Sequence, residues 1–329
     1  MNILILNFNE CPENYHLEAV FSEILLKVDI PFYTIHSFNH DYSHLSEGRI
    51  KKRQHISRVS LKNLFKQGFN LLISIDFPWK RNRNYLAYIK IIKEIKCKKI
   101  IIANHLCPDP GQSAFIDDSK ERGLLNLFQT LYILEYDDDK LWPAKSVIIK
   151  KRKFAVDTDY YRPINVGKKY DILCFGSKSR AFDMLQELSY KYSVAVLTSL
   201  SIKIPNLIIM KFNENLFKVR DIINSSRLVV APVNESEINP ACGNTALFLA
   251  MACGIPAVVR ATNYMKRYVK DGVNSFLYKT PNDFLKKVIS AFEKTEKLEV
   301  ISKNARETAI EDASMKKIIK YILEEEIKC

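Results

Sequence analysis

The stretch of sequence at residues 224–256 constrains the fold more than any other part of the chain. Residues 227–231, Arg-Leu-Val-Val-Ala, form a short apolar run of the kind that a buried parallel strand uses. A polar loop follows, and Gly243 then begins a predicted helix that extends to Ala252. Gly254 ends this helix, and residues 256–260 supply the next strand at once. The sequence therefore predicts a strand–loop–helix–strand unit of an α/β protein.

The start of this predicted helix has the properties of an anion-binding site. Asn244 or Thr245 is the expected cap, and Gly243 stands at the first turn. Backbone N–H groups and the positive end of the helix dipole favour a phosphate ester at such a position. Open α/β sheets bind ligands at this edge, so we expect a phosphate-bearing ligand there.

Three segments, in order along the chain, resemble motifs of the retaining GT-B glycosyltransferases of family 4. Residues 248–256, Phe-Leu-Ala-Met-Ala-Cys-Gly-Ile-Pro, are similar to the family's LEAMACGxPVV segment. Residues 268–277 are similar to its v-x-d-G-x-n-G-l-l turn, and residues 154–163 to its GVDtdxFrP segment. The resemblance is good over residues 131–327 and vague over residues 1–130.

Strands alternate with helices along the whole chain, which favours parallel, doubly wound sheets in an α/β protein. The resemblance implies the GT-B architecture: two Rossmann-like domains that face a cleft, with the C-terminal helix crossing back to the first domain. We expect an acceptor-side domain at residues 1–163, a nucleotide-sugar-binding domain at residues 168–312 and the returning helix at residues 313–329. A chain of 329 residues is long enough for two such cores.

The composition is that of a soluble globular protein, with 47% hydrophobic and 26% charged residues. No apolar run approaches the roughly 18 residues that would span a bilayer, and residues 1–7 lack the basic start of a signal peptide. The seven cysteines are odd in number and lack C-x-x-C or C-x-x-H spacing. This favours reduced, structural thiols in a cytoplasmic protein over a metal site or disulfides.

The positive charge is concentrated in one segment. Residues 41–100 carry fifteen Lys or Arg against four Asp or Glu, a net +11 of the formal +13. Basic clusters with interleaved aromatic residues over 49–99 attract anionic lipid headgroups, acidic glycans or nucleic acid. No nucleic-acid-binding motif accompanies them. We therefore expect an anionic membrane surface, on the inner face of the cell membrane, or an acidic glycan as the partner, and no nucleic acid; the alternative is a solvated surface with no partner.

The resemblance implies a nucleotide-sugar donor that leaves as a nucleoside diphosphate, so fixed cations and N–H groups must stabilise negative charge. Residues 176–180, Gly-Ser-Lys-Ser-Arg, resemble a shortened form of the family's G-R-x-x-x-x-K-G loop. This implies phosphate contacts from Lys178 and Arg180; the alternative is a basic helix start with exposed side chains. The other expected donor-binding residues are Gly176, Ser177, Glu235, Gly243, Asn244 and Thr245.

The sequence departs from the family at its pair of glutamates. Leu249 occupies the position of the Glu that holds the nucleotide ribose, and Ala241 lies where the Glu beside the donor sugar is expected. The loop is longer than usual, so Glu237, or else Glu235, can reach in as a hydrogen-bond partner of the sugar hydroxyls. A solvated loop carboxylate is the alternative for Glu237. The loss of the ribose Glu leaves the donor nucleotide, and activity itself, open.

His105 follows the predicted strand at residues 99–103, where similar enzymes place a histidine that faces the donor sugar. The resemblance implies a positioning role for it; a structural histidine is the alternative. The expected catalytic residues are thus His105, Lys178, Arg180 and Glu237. Weaker candidates for acceptor contacts are Asn9, Glu10, His16 and Asp76.

Two Asp-x-Asp sequences, at residues 137–139 and 157–159, match the formal pattern of metal-dependent GT-A enzymes. The first lies at a predicted helix start, where carboxylates favour the dipole. The second belongs to a segment already matched to the family. We therefore expect no metal, and no cofactor besides the donor substrate.

Two functions from different classes follow. The first is a metal-independent, retaining, hexosyltransferase-like enzyme that moves a sugar to a hydroxyl of a glycan or glycolipid, as in polysaccharide or lipopolysaccharide biosynthesis. The second is a non-catalytic GT-B module that binds a nucleotide, a glycan or a protein partner. Leu249 favours the second function, whereas Lys178, Arg180, Gly243 and His105 favour the first.

Overall fold

The structure is a computed structural model of the chain. It describes residues 1–8, 12–37, 53–76, 84–103, 125–134, 147–177, 179–212, 218–237, 239–293 and 295–327. The chain forms two compact units, one of Met1–Asp157 with Met315–Cys329 and the other of Thr158–Ser314. Each unit is built around its own parallel sheet.

The first unit contains a seven-stranded sheet whose spatial order is β3-β2-β1-β4-β5-β6-β7. Its strands are β1 (Ile3–Asn7), β2 (Phe32–His36), β3 (Arg53–His55), β4 (Leu71–Ile75), β5 (Lys98–Ala103), β6 (Thr130–Ile133) and β7 (Ile148–Lys151). Its helices are α1 (Pro12–Lys27), α2 (Leu61–Phe65), α3 (Tyr85–Glu94) and the C-terminal helix (Met315–Ile327). The direction of winding reverses between β1 and β4.

The central strands of this sheet are covered on both faces, which explains their largely apolar sequences. All five residues of β1 and of β4 are buried. Because successive side chains of a strand point to opposite faces, Leu4 and Leu6 join the core under α2 and α3, and Ile3 and Ile5 join the core under α1 and the C-terminal helix. The first unit is therefore a three-layer α/β structure.

Charged groups tie the C-terminal helix to the edge of the first sheet. The hydroxyl of Tyr132 donates to Glu326 at 2.5 Å, and Lys98 Nζ lies 2.9 Å from the same carboxylate, whose side chain is 1% exposed. Arg152 pairs with Glu325 at 2.6 Å. The last helix of the chain thus belongs to the first unit, as the GT-B architecture requires.

The second unit contains a six-stranded sheet whose order is β10-β9-β8-β11-β12-β13. Its strands are β8 (Tyr170–Phe175), β9 (Val194–Thr198), β10 (Leu207–Lys211), β11 (Ser226–Ala231), β12 (Ala257–Arg260) and β13 (Phe276–Tyr278). Its helices are α4 (Gln186–Ser189), α5 (Val219–Asn224), α6 (Asn244–Ala252), α7 (Pro281–Glu293) and α8 (Thr295–Asp312). The winding reverses between β8 and β11, which makes the carboxyl ends of these two strands the expected ligand-binding edge.

The end of α6 has the hydrogen bonds of a Schellman motif. The N–H of Gly254 donates to Met251 O and that of Ile255 to Ala250 O, each at 2.9 Å. Gly254 has a φ of +68°, which L-residues with a Cβ adopt at a cost. The prediction that Gly254 ends this helix is confirmed.

The sequence of residues 181–191 predicts a single helix after β8, and the structure differs from this prediction. A 3₁₀ turn at Phe182–Leu185 leads instead into the short helix α4. The Ala181 N–H donates to Pro232 O at 3.2 Å, so the chain remains bonded to the neighbouring loop at the point where the helix was expected to begin. The strands β3 and β13 were also not predicted, because three residues are too few for a period to be visible.

Candidate functional site

The candidate site lies at the carboxyl edge of the second sheet, where the loops after β8 and β11 come together. Arg180, after β8, forms an isolated antiparallel bridge with Val233, after β11. The Asn234 N–H donates to Ser179 O at 3.0 Å. The two loops at the reversal point of the winding are therefore joined by main-chain contacts, which bring Arg180 beside the loop that carries Glu235 and Glu237.

Gly176 and Ser177 begin the loop after β8. Gly176 has a φ of +116°, and its N–H donates to Leu197 O at 3.0 Å. Ser177 Oγ accepts hydrogen bonds from the Ser199 N–H at 2.7 Å and from the Thr198 hydroxyl at 2.9 Å. This loop is thus held against the end of β9, and its conformation requires glycine at its first position.

Arg180 connects this loop to the start of α6. Its Nε donates to Phe175 O at 3.1 Å, and its Nη1 lies 3.3 Å from the sulfur of Cys242. Cys242 directly precedes Gly243, so the guanidinium lies beside the N-terminus of α6. Burial raises the pKa of the Cys242 thiol, and the positive charge of Arg180 opposes that rise. The arrangement unites a fixed cation with the positive end of a helix.

The N-cap of α6 is Gly243, and not Asn244 or Thr245 as expected, because both of these residues already lie in the helix; the φ of +98° places Gly243 in the left-handed region. A Cβ at this position would lie 3.2 Å from the Cβ of Ala231, so glycine also permits the close approach of helix and strand. The Asn244 N–H donates to Ala241 O at 2.9 Å. The Thr245 N–H donates to Asn244 Oδ1 at 2.6 Å, so the amide side chain of Asn244 occupies the first turn.

Glu237 lies in the loop after β11 and is held on both carboxylate oxygens. Oε1 accepts from the Asn239 N–H at 2.8 Å, and Oε2 accepts from the hydroxyl of Ser179. Glu235 lies at the exposed tip of the same loop. Of the two loop glutamates, Glu237 is therefore the one that the structure attaches to the residues around Arg180.

Leu249 lies in the middle of α6 and is 3% exposed. Every residue of this helix from Ala246 to Ala252 is buried. An apolar side chain at position 249 fits these surroundings, whereas an unpaired carboxylate there would be costly.

The remaining predicted site residues fall into two groups, those outside the described residues and those buried in the first unit. His105, Lys178, Asn9 and Glu10 lie outside the described residues. His16 and Asp76 are buried in the first unit, where His16 Nδ1 lies 2.9 Å from Asp157 Oδ2, and Asn14 donates to Asp76 at 2.8 Å. In the described ranges, no group of three or more His, Cys, Asp or Glu side chains could hold a metal ion.

Sequence reasoning missed Arg260 and Tyr278. Arg260 Nη2 donates to Glu237 O at 2.7 Å and Nη1 to Asn234 O at 3.2 Å. The Tyr278 hydroxyl accepts from the Val233 N–H at 2.8 Å. The sequence signal that could have indicated them is their position, because each is the last residue of a strand in the second sheet.

A family model described as glycosyl transferase-like matches residues 182–324. The match includes α4 to α8 and most of the C-terminal helix. No curated protein sequence matches the chain.

Solved structures resemble the chain over nearly all of its length. Anabaena HepE in complex with UDP-glucose is 13% identical with a TM-score of 0.71, over 100% of both chains. A glycosyltransferase from Rickettsia africae is 12% identical with a TM-score of 0.65, over 99% of this chain and 98% of that chain. Sucrose-phosphate synthase from Thermosynechococcus elongatus is 10% identical with a TM-score of 0.62, again over 99% and 98%.

At these identities the structural likeness establishes the fold alone, and the family model covers residues 182–324, which begin after Arg180. The two parallel-sheet units and the returning helix confirm the predicted fold class. The chain therefore has the GT-B fold, and its residues 182–324 match a glycosyl transferase-like family model.

Proposed function

We propose that the protein transfers a sugar from a nucleotide-sugar donor to a hydroxyl group of a glycan or glycolipid, without a metal ion and with retention of the anomeric configuration. The observation that carries this proposal is the position of the Arg180 guanidinium, 3.3 Å from Cys242 and beside the N-terminus of α6. A diphosphate at this edge would contact a fixed cation and the positive end of a helix dipole together.

The chemistry follows from the charge that develops during transfer. When the bond between the sugar and the diphosphate breaks, negative charge grows on the leaving phosphate. Arg180 and the first turn of α6 are fixed before the reaction, so they stabilise that charge without reorganisation. An oxygen of the phosphate would replace Asn244 Oδ1 as the acceptor of the Thr245 N–H. Roles in donor binding for Lys178 and in positioning the donor sugar for His105 are proposed on the family resemblance, since both lie outside the described residues.

The donor is proposed to be a UDP-sugar. The structure of HepE in complex with UDP-glucose contains a donor of this class, and an α-glucosyltransferase with a TM-score of 0.69 was solved in complex with UDP. Glu237 is proposed to accept hydrogen bonds from the donor sugar, because its carboxylate is already oriented by Ser179 and Asn239.

The proposal is tested by turnover of a panel of UDP-sugars by the wild type, Arg180→Ala and a control, Arg227→Ala. Arg227 pairs with Asp171 at the opposite end of the sheet. We expect wild-type turnover without added metal and in the presence of a chelator, a loss of about 10²–10³ in kcat for Arg180→Ala, and no change for Arg227→Ala. Product NMR then decides between retention and inversion. Binding of a nucleotide without any turnover would instead support the non-catalytic module.

We also propose that the first unit meets an anionic membrane surface through α2 and α3. On α3, Leu86, Lys90 and Lys93 follow one another at helical i, i+4 and i+7 spacing, and all are exposed, Leu86 by 80%. On α2, Lys62 is exposed, as is Lys66 at its end. A basic face with a protruding apolar side chain is typical of peripheral binding. In the described ranges, none of the helices has the length and apolar character needed to cross a membrane.

Vesicle flotation tests the membrane proposal. We expect recovery with vesicles that contain phosphatidylglycerol, a fall in recovery with rising salt, and a loss for Lys90→Glu/Lys93→Glu. The control is Lys203→Glu/Lys279→Glu, which reverses two exposed lysines of the second unit. Equal recovery with neutral vesicles, or equal loss for both variants, would refute the proposal.

A further inference from the structure

We propose that Arg260 is a positioning residue for Glu237: it fixes the turn at residues 234–237 and so holds the Glu237 carboxylate in the orientation that sugar transfer needs. The inference rests on the proposed role of Glu237 at the donor site. It adds a residue that none of the sequence motifs contains.

The turn itself is short and closed. The Glu237 N–H donates to Asn234 O at 3.0 Å, which makes residues 234–237 a hydrogen-bonded turn. The Asn234 N–H donates to Ser179 O at 3.0 Å, which attaches the beginning of the turn to the loop of Arg180. The main chain of the turn is therefore hydrogen-bonded to the loop of Arg180 at residue 234 and is closed by the bond between residues 234 and 237.

Arg260 anchors this turn from a different strand. Its Nη1 donates to Asn234 O at 3.2 Å and its Nη2 to Glu237 O at 2.7 Å, so one planar guanidinium reaches both the first and the last residue of the turn. A lysine ammonium cannot reproduce this fork, because its donors are not fixed in one plane.

The position of Arg260 in the sheet makes it a rigid anchor. It is the last residue of β12, whose other three residues are buried. Strand β12 pairs with β11 up to Ala231 and Val259, and Arg260 pairs with Tyr278 of β13, so Arg260 is fixed in the sheet beside the point where the loop of Glu237 begins. The guanidinium therefore acts from the sheet onto the loop, and not from another loop.

The carboxylate of Glu237 is oriented separately by Ser179 and by the Asn239 N–H. Ser179 has a φ of +58°, an unusual conformation for a residue with a side chain. Ser179 and Asn239 thus hold the side chain of Glu237, and Arg260 holds its main chain. Among these described contacts, Arg260 is the residue that belongs to a strand.

The charge of Arg260 also reaches the remainder of the site. Together with Arg180 it opposes the rise that burial causes in the pKa of the Cys242 thiol and of the Tyr278 hydroxyl. Both side chains belong to or contact the loop between β11 and α6. The two guanidinium groups therefore act on this loop together.

A double-mutant cycle on turnover tests the inference, with Arg260→Ala, Glu237→Gln and the combined variant. A residue that acts through Glu237 changes kcat more than the donor KM, and we expect kcat to fall by about 10²-fold in Arg260→Ala. The combined variant should be no slower than Glu237→Gln alone. Arg260→Lys should remain impaired, and Arg227→Ala should match the wild type. If Arg260→Ala lowers kcat by the same factor with and without Glu237→Gln, or leaves kcat unchanged, the inference is wrong.

Amide hydrogen exchange provides a second measurement that does not depend on turnover. In Arg260→Ala, peptides that cover residues 234–239 should exchange faster, while those of β11 and β12 should not, and the melting temperature should stay close to that of the wild type. Unchanged protection of residues 234–239 overturns the inference even if the enzyme is active. If the wild type turns over no donor, the proposed function fails, and this exchange result alone decides whether Arg260 anchors the turn.

Discussion

The guanidinium of Arg180 packs directly over Gly176: a Cβ at Gly176 would lie 2.7 Å from Nη2 and 3.0 Å from Nε. The cation that marks the candidate donor site therefore depends on the absence of a side chain four residues earlier. This relationship explains why the shortened loop after β8 begins with glycine. A substitution at Gly176 therefore tests the position of the Arg180 guanidinium, whereas a substitution of Arg180 itself tests its charge.

Gly176→Ala is expected to displace the Arg180 guanidinium and to lower the affinity for UDP by about tenfold, the value of one charge-assisted hydrogen bond. The strained φ of +116° should also reduce the free energy of unfolding by roughly 1–3 kcal/mol. Calorimetric titration and urea denaturation measure the two effects. Gly272→Ala is the matched control, because Gly272 also has a positive φ, +70°, but its Cβ would meet no atom within 4 Å. Equal loss of UDP affinity in both variants would show that strain alone is responsible.

The contacts of the Glu326 carboxylate with Tyr132 and Lys98 predict that the free energy of unfolding depends on pH. Burial by itself would raise the pKa of Glu326, but hydrogen bonds from Tyr132 and Lys98 hold that pKa below its usual value of 4.5. Because the folded-state pKa is the lower one, the stabilisation is complete above about pH 4.5 and is lost as the pH falls through the folded-state pKa. Glu326→Gln should lower the free energy of unfolding by about 1–3 kcal/mol at pH 7.

Urea denaturation at pH 7 and pH 4 checks this prediction, and the difference between Glu326→Gln and the wild type should narrow at the lower pH. Glu324→Gln is the control, since Glu324 is 47% exposed and lies 3.9 Å from Lys320. Its effect should stay within about 0.5 kcal/mol. A Glu326→Gln variant that is no less stable than Glu324→Gln would contradict the proposed attachment of the C-terminal helix.

We expect His36 to make a second contribution to the pH dependence of the free energy of unfolding, this time from a base that stays neutral in the folded protein. Burial, reinforced by the charges of Arg53, His55 and Arg58, lowers the pKa of His36 to about 3. The unfolded chain binds a proton near pH 6.5 while the folded protein does not, so stability falls as the pH drops below 6.5. Because the imidazole is only partly buried, we expect a loss on the order of 1 kcal/mol by pH 5.

His36→Gln removes this proton uptake and should make stability less sensitive to pH between 6.5 and 5. Thermal unfolding followed by circular dichroism across this range provides the measurement. Parallel pH profiles for the variant and the wild type would show that His36 does not contribute.

The strands and the long C-terminal helix could be predicted from sequence because their signals are local. The runs at residues 71–75, 170–175 and 194–198, apolar except for one polar residue each, predict strands with the bounds that β4, β8 and β9 have in the structure. The C-terminal helix was predicted within residues 313–329, and the structure has it at Met315–Ile327. Its apolar residues recur at helical spacing, and that periodicity is the signal that predicts the helix.

The contacts of the site could not be predicted, because they join residues that are far apart in sequence. The bonds from Arg260 to residues 234 and 237 depend on how the loop after β11 folds over the end of β12. The bond between Ser179 and Glu237 depends on how two loops meet. The sequence predicted a role for Glu237 at the donor site, but not which residues orient its carboxylate.

The most direct test of the account is calorimetric titration of UDP into the wild type and Arg180→Ala, with Arg227→Ala as the control. We expect UDP to bind to the wild type and to Arg227→Ala with equal affinity. Arg180→Ala should bind UDP about 10- to 100-fold more weakly, which is the range for one hydrogen bond to a charged group. Equal affinity of Arg180→Ala and the wild type, or no binding of UDP to the wild type, would contradict the account.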